Sequence, residues 1–384
     1  MRGMCQNKKR RIRMKRKAKL ALAFVVMLAT VLTIPAVAGF VFPIYINGVE
    51  TTLAGDTVSG VTQIGLRSLA EELGCKVEFR DAAIRITTPN GDRLKITTLA
   101  ENKNQQHAQL NSEFGFSVLI ENGADKVLFD TGKAGEFLAN AKKMNLDVSD
   151  CCSVVLSHAH YDHCGGLMQY FDTFGTKDKT LFVKNSFFEH AGSKYYYDAV
   201  GQKFDFTDGT KGYFPVGINF TEKQLAEKGV MIEYIDGNSI RVADGITVHG
   251  NFEKNETDKL APNMLDKLEN GAYVVDDFDE EVALTVETSK GLVILSGCSH
   301  SGIVNIVDTI EKRTGQKVYA VIGGFHLLDA DEAKIQSVID RFKTLGVEKI
   351  GLSHCTGPKA TGMFQAQMPN QTFLNETGSV YEVN

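Results

Sequence analysis

No aspartate or glutamate precedes Glu50 in this 384-residue chain, while ten lysines and arginines lie between Arg2 and Lys19. Without those ten charges the formal net charge falls from −5 to −15, so the remainder is acidic. An acidic surface has no global basic field, which excludes a nucleic-acid binder and leaves any anionic ligand to be drawn in locally. Long apolar runs are scarce too, and the one that stands out is LALAFVVMLATVLTIPAVAG, from Leu20 to Gly39. A basic head, an apolar run and the small-x-small site Ala36-Val37-Ala38 read as a signal peptide over residues 1–38. The alternatives are an uncleaved membrane anchor, since about 20 apolar residues span a bilayer, and a buried helix. Either membrane reading exports the rest of the chain, as a secreted protein or one anchored at the cell surface.

Cysteine is sparse as well, with seven in the chain and six beyond the basic head. An even number is what disulfides need in an oxidising compartment. Yet Cys164, Cys298 and Cys355 each lie within two residues of a histidine in a glycine-rich loop, which fits thiols beside a metal site. Cys151 and Cys152 read as packing at a strand entry. With 43% hydrophobic and 23% charged residues the chain is of ordinary globular composition and not disordered.

Two modules follow the leader. Residues 44–98 begin with IYINGVETTL, which alternates around an Asn-Gly turn as a hairpin does. LRSLAEELGCKVEFRDAAIRITTPNG then gives a short amphipathic helix and two strands around Arg80-Asp81. This unit resembles the small α+β domain at the N-terminus of copper amine oxidases, although the Val-Pro usual there is Ile64-Gly65 here. It contains no metal-binding cluster, so the resemblance implies a spacer or adhesion unit and no copper.

Residues 99–384 alternate strands and helices. Apolar runs end repeatedly in small residues followed by histidine: CSVVLSHAHYDHCGG, LVILSGCSH, VYAVIGGFHL and KIGLSHCT. In open α/β folds, ligands collect at loops beyond strand ends. Between these runs lies a segment rich in Tyr and Phe, Glu189–Phe214, without clear periodicity. It reads as a surface insertion or as a segment covering the substrate.

The densest cluster is His158-Ala159-His160-Tyr161-Asp162-His163. Neutral imidazoles and a carboxylate are ligands of zinc and its borderline relatives. A tight loop after a strand can turn His158 and His160 to one locus and Asp162 and His163 to another, which suits two metals.

These residues match the HxHxDH signature of the metallo-β-lactamase superfamily, and the second module resembles that superfamily along essentially its whole length. The resemblance implies an αββα sandwich, with Asp130 of Asp130-Thr131-Gly132 buttressing the metal loop. Four further stretches, DDFDEEVALTVET, SGCSHSGIVNIV, GGFHLL and LSHCTG, resemble the branch of 7,8-dihydropterin-6-yl-methyl-4-(β-D-ribofuranosyl)aminobenzene 5′-phosphate synthase and its metallohydrolase relatives. The chain departs from the wider superfamily where a Gly-Asp with a bridging aspartate is usual, since its strand ends Ser296-Gly297-Cys298-Ser299-His300. The resemblance implies His300 as the third ligand beside His158 and His160, and His354 as the third beside Asp162 and His163. Cys298 and Cys355 could be soft ligands, but the neighbouring histidines already supply enough donors, so both thiols are expected to support the site from behind. His326, following Gly323-Gly324, is the candidate for substrate contact or proton transfer. His107, His190 and His249 read as surface or packing residues.

The expected cofactors are two divalent metal ions, zinc first, with iron or manganese as alternatives. The expected reaction is metal-assisted hydrolysis of a phosphoester or related ester or lactone, with Asp162 and His326 as catalytic candidates. The alternatives are the synthase, which expels pyrophosphate as its two substrates join, and a non-catalytic exported binding protein. The expected substrate is a small molecule, and if it is anionic, Lys184, Lys194, Lys203 and Lys211 are local attractors for it.

Overall fold

The structure is a computed structural model. It describes six short strands between Tyr45 and Thr87, and residues 94–199, 201, 211–255 and 261–383. The leader, the helix expected after Ile64, and Cys5, Cys75 and Lys203 lie outside the described residues. No helix among the described residues is long and apolar enough to cross a membrane.

The chain divides into two units between Asp92 and Arg93, a few residues before the boundary read from the sequence. In the first unit, Tyr45–Ile46 pairs with Val49–Glu50, Asp56–Val58 with Val61–Gln63, and Lys76–Arg80 with Ala83–Thr87. The boundary moves because Leu94–Ala100 is a strand of the second unit, hydrogen-bonded between Ser117–Asn122 and Val380–Val383.

The second unit contains two seven-stranded sheets. In spatial order, the first runs Met231–Ile235, Thr180–Lys184, Ser153–Val155, Asp125–Phe129, Ser117–Asn122, Leu94–Ala100, Val380–Val383. The second runs Ser239–Ala243, Ile246–His249, Ala283–Thr288, Gly291–Ser296, Val318–Gly324, Lys349–Ser353, Thr372–Leu374. Each sheet has an antiparallel half and a parallel half.

Side chains on successive strand residues point to opposite faces, so each strand feeds two cores. Val118 and Ile120 enter the layer between the sheets, whereas Leu119 enters the layer under helices Glu136–Lys143 and Leu167–Phe174. Val293 and Leu295 likewise face the other sheet. Leu292 and Ile294 meet helices Ile303–Thr314, Glu332–Leu345 and Pro358–Gln367. Three cores between four layers make an αββα sandwich. Burial on both faces also explains why runs such as LVILS read as continuously apolar.

Parallel pairing carries the site. It brings the C-terminal ends of Ser153–Val155 and Asp125–Phe129 to one rim in the first sheet, and those of Gly291–Ser296, Val318–Gly324 and Lys349–Ser353 to one rim in the second.

The segment Glu189–Phe214 holds more order than its sequence showed. Lys194–Asp198 and Gly212–Pro215 join Met264–Lys267 and Tyr273–Val275 in a four-stranded antiparallel sheet. Tyr195, Tyr196 and Tyr197 are aromatic on both faces, which hides the period of two that would have marked a strand. Cys151, Cys164, Cys298 and Cys355 are free and buried.

His249 is buried, with Nε2 hydrogen-bonded to the Thr285 hydroxyl at 3.0 Å. Burial, and secondarily Arg313, push its pKa down from 6.5 to about 4. The unfolded chain therefore takes up this proton first as pH falls. The stabilisation is complete above pH 6.5 and is lost as pH falls towards 4, by about 3 kcal/mol at 1.36 kcal/mol per pKa unit. Denaturant titrations of His249→Gln should show a shallower loss of stability over that window than the parent. Parallel curves would mean that His249 charges in the fold without cost.

Candidate metal centre

The rim gathers side chains that are far apart in sequence, from His158 to His354. His158, His160 and His300, all buried, offer ring nitrogens within 4.8 Å of one another. Their ring centroids are 4.5, 4.8 and 4.7 Å apart. Asp162, His163 and His354 form a second buried group within the same limit. There His354 Nε2 lies 3.1 Å from Asp162 Oδ2 and 3.3 Å from His163 Nε2. The groups adjoin, with the His158 and His163 rings 4.2 Å apart.

Nε2 of His158, Nε2 of His160 and both ring nitrogens of His300 are buried without a hydrogen-bond partner. Leaving a buried polar atom unsatisfied costs about 1–3 kcal/mol. Three such rings converging on one point are what a divalent cation would satisfy, so the donor set fits a metal.

The supports are specific. Asp130, in left-handed backbone at φ 58°, accepts from the Ser157 amide at 2.7 Å and the Ser157 hydroxyl at 2.7 Å, and holds His163 Nδ1 at 2.6 Å. The same Ser157 hydroxyl reaches His158 Nδ1 at 2.8 Å. One carboxylate therefore orients a histidine in each group. Asn102 Oδ1 holds His354 Nδ1 at 2.8 Å, and Glu101 accepts the His354 amide at 2.5 Å. Glu281 accepts the amides of His300 and Ser301 at 2.7 and 2.6 Å. Phe278 stacks on the His300 ring at 4.1 Å and 3°. Sequence reasoning missed Asn102, Glu101, Ser157, Phe278 and Glu281. Ser157 lay in the quoted CSVVLSHAHYDHCGG stretch and Phe278 and Glu281 in DDFDEEVALTVET, whereas Asn102 and Glu101 carried no signal.

Electrostatics fit a cation site. Burial pushes the pKa values of His158, His160 and His300 well below the usual imidazole range, which keeps them neutral. Burial alone would raise Asp162, but His163 and His354 outweigh it and hold its carboxyl well below the usual range. Burial would lower His354, but its hydrogen bond to Asp162 prevails and pushes it up to about 9.

His326 stands outside both groups, its ring 4.3 Å from that of His300. The glycines before it leave no room for a side chain. A Cβ at Gly323 would lie 1.9 Å from Ser296 O, and one at Gly324 would lie 2.6 Å from Cys355 Sγ.

Two of the lysines read as anion attractors, Lys194 and Lys184, have other partners. Lys194 is buried against Asp276 at 2.5 Å, Glu280 at 2.9 Å and Asp266 at 3.6 Å. Lys184 Nζ donates to Asn185 Oδ1 and Ile235 O, while Lys211 is exposed. Lys194 instead ties the four-stranded sheet to the loop carrying Phe278, over whose ring its Nζ lies at 5.1 Å.

The pattern of the metallo-β-lactamase superfamily matches residues 111–224. The chain is 38% identical over 285 residues to 7,8-dihydropterin-6-methyl-4-(β-D-ribofuranosyl)-aminobenzene-5′-phosphate synthase of Methanocaldococcus jannaschii, covering 72% of this chain and 92% of that protein. The chain belongs to the metallo-β-lactamase superfamily. It is an enzyme of that fold. It is also 27% identical to the uncharacterized protein MJ0448 of the same organism, over 67% of this chain and 89% of that one. Among solved structures it is similar to Tm1679, described as a metal-dependent hydrolase of the β-lactamase superfamily. That similarity has a TM-score of 0.61 and 29% identity, covering 76% of this chain and 99% of that one.

Because Asp130 orients both groups, Asp130→Asn should weaken metal binding ~10–100-fold, the usual effect of losing a carboxylate behind a ligating histidine. Competition against a chromophoric chelator measures it. Unchanged affinity would remove Asp130 from the account.

Proposed function

We propose that this chain joins a dihydropterin pyrophosphate to a ribofuranosyl aminobenzene phosphate and releases pyrophosphate, at a pair of divalent ions held by the two groups. The observation that supports this best is the 38% identity to the synthase over 92% of its length. The sequence alone put hydrolysis first, and the relative's reaction reverses that order.

Bound ions, zinc first with iron or manganese as alternatives, would supply Lewis-acid stabilisation of charge on phosphoryl oxygens. The chain's own groups do the rest. Asp162, held ionised, orients the reacting group beside His163 and His354. A cavity of about 250 Å³ lined by Asn102, Phe114, His354, Pro358 and Thr361 offers space for a small molecule. His326, whose pKa burial pushes down to about 4, is neutral at physiological pH. From the rim it can take the proton that the acceptor loses as the new bond forms.

A second reading is an exported hydrolase. The basic head and the apolar run from Leu20 to Gly39 favour it, because a leader would carry the enzyme away from a cytosolic pterin precursor.

Acceptor dependence separates the two readings. Zinc-loaded protein should release pyrophosphate from the dihydropterin pyrophosphate only when the aminobenzene acceptor is present. Turnover of phosphomonoesters, phosphodiesters or lactones without acceptor would select the hydrolase, and no turnover on any of them the binding protein. His326→Ala should keep its metal and lower kcat ~10²–10⁴-fold, the usual contribution of a positioned acid or base.

Export has its own test, by fractionating expressing cells and sequencing the mature N-terminus. A chain beginning at Met1 in the soluble cytosolic fraction would refute it.

A further inference from the structure

Resting on that metal-pair reading, we propose that Cys298 is the bridging ligand of the centre, a thiolate shared by the two metal positions where many superfamily members use an aspartate.

Its sulfur adjoins both halves, as does His163, whose single free ring nitrogen cannot serve two ions. Cys298 Sγ falls within 4.8 Å of the ligand nitrogens of His158 and His163, and within the same limit of His354 and Cys355. It lies 3.1 Å from His163 Nε2, which is itself 3.3 Å from His354 Nε2. Cys298 thus stands between the His158 side and the His354 side, and all these residues are buried.

The nearby carboxylates are engaged elsewhere. Asp162 belongs to the His163/His354 group. Asp130 holds His163 Nδ1 and Ser157, Glu281 caps the amides of His300 and Ser301, and Glu280 pairs with Lys194. Among the described residues around the two groups, Cys298 is the side chain left to join them.

The backbone delivers Cys298 inward. Strand Gly291–Ser296 ends just before it, and Ser299 at φ 63° turns the chain so that Cys298 and His300 face the same centre. Cys355 has a different role. Its sulfur accepts the His326 amide at 3.3 Å and donates to Cys298 O at 3.4 Å. It is a positioning residue that fixes the two loops on which Cys298 and His326 sit.

On loading, the Cys298 S–H bond breaks, the sulfur bonds to metal, and the proton passes to the buffer, as metal–thiolate binding requires. A soft bridge favours zinc, cobalt and iron over manganese and magnesium.

The test reads the metal itself. Full-length protein substituted with cobalt(II) should show a near-ultraviolet sulfur-to-cobalt charge-transfer band. The zinc form should show a sulfur scatterer at about 2.3 Å by X-ray absorption. Both signals should persist in Cys355→Ser and vanish in Cys298→Ser, with metal affinity of the latter reduced ~10-fold or more. Cys298→Asp should keep both metals, lose the band and accept manganese more readily than the parent. That variant keeps the proposal falsifiable if Cys298→Ser fails to fold. Cobalt bound without the band, or a band lost with Cys355 and kept without Cys298, would overturn the bridge. Failure to bind cobalt at all would overturn the metal-pair reading beneath it. Neither readout depends on which reaction the enzyme performs.

Discussion

Asp130 is the group on which the rest of the site depends. Completely buried at the end of a strand, it holds His163 directly and His158 through the Ser157 hydroxyl. Two histidines with different partners thus take their orientation from one carboxylate. Its left-handed backbone is held by its amide bond to Val155 O at 2.9 Å, so the strand pairing also sets the histidine loop. Fold and site are coupled through this residue.

The coupling has an energetic consequence. Three buried imidazoles with unpartnered nitrogens oppose folding, because each forfeits water without gaining a bond. Ions that satisfy them bind the folded chain and not the unfolded one, so metal loading adds directly to stability. The three apolar cores must carry the fold in its absence.

The insertion belongs to the same arrangement. Lys194 and its three carboxylate partners anchor the four-stranded sheet to the loop bearing Phe278, whose ring covers one face of His300. Val216 O accepts the Tyr161 amide at 2.9 Å beside the histidine loop. A segment that reads as irregular along the chain thus forms part of the wall of the centre.

By itself the sequence determined what depends on short spacing. The HAHYDH loop after an apolar strand and the strands ending in His300, His326 and His354 were legible because ligand spacing and apolar periodicity are local, whereas the αββα layering was implied by the resemblance to the metallo-β-lactamase superfamily. Only tertiary structure decided which distant groups meet. Nothing in the spacing shows Asn102 on His354, Phe278 on His300, or Lys194 held by Asp266, Asp276 and Glu280. Nor does it show that Gly323 and Gly324 make room for Ser296 and Cys355, or that Cys298 lies between the two ligand groups. Those contacts arise when parallel pairing brings the strand ends of two sheets to one rim, and a one-dimensional pattern carries no record of distance across a core.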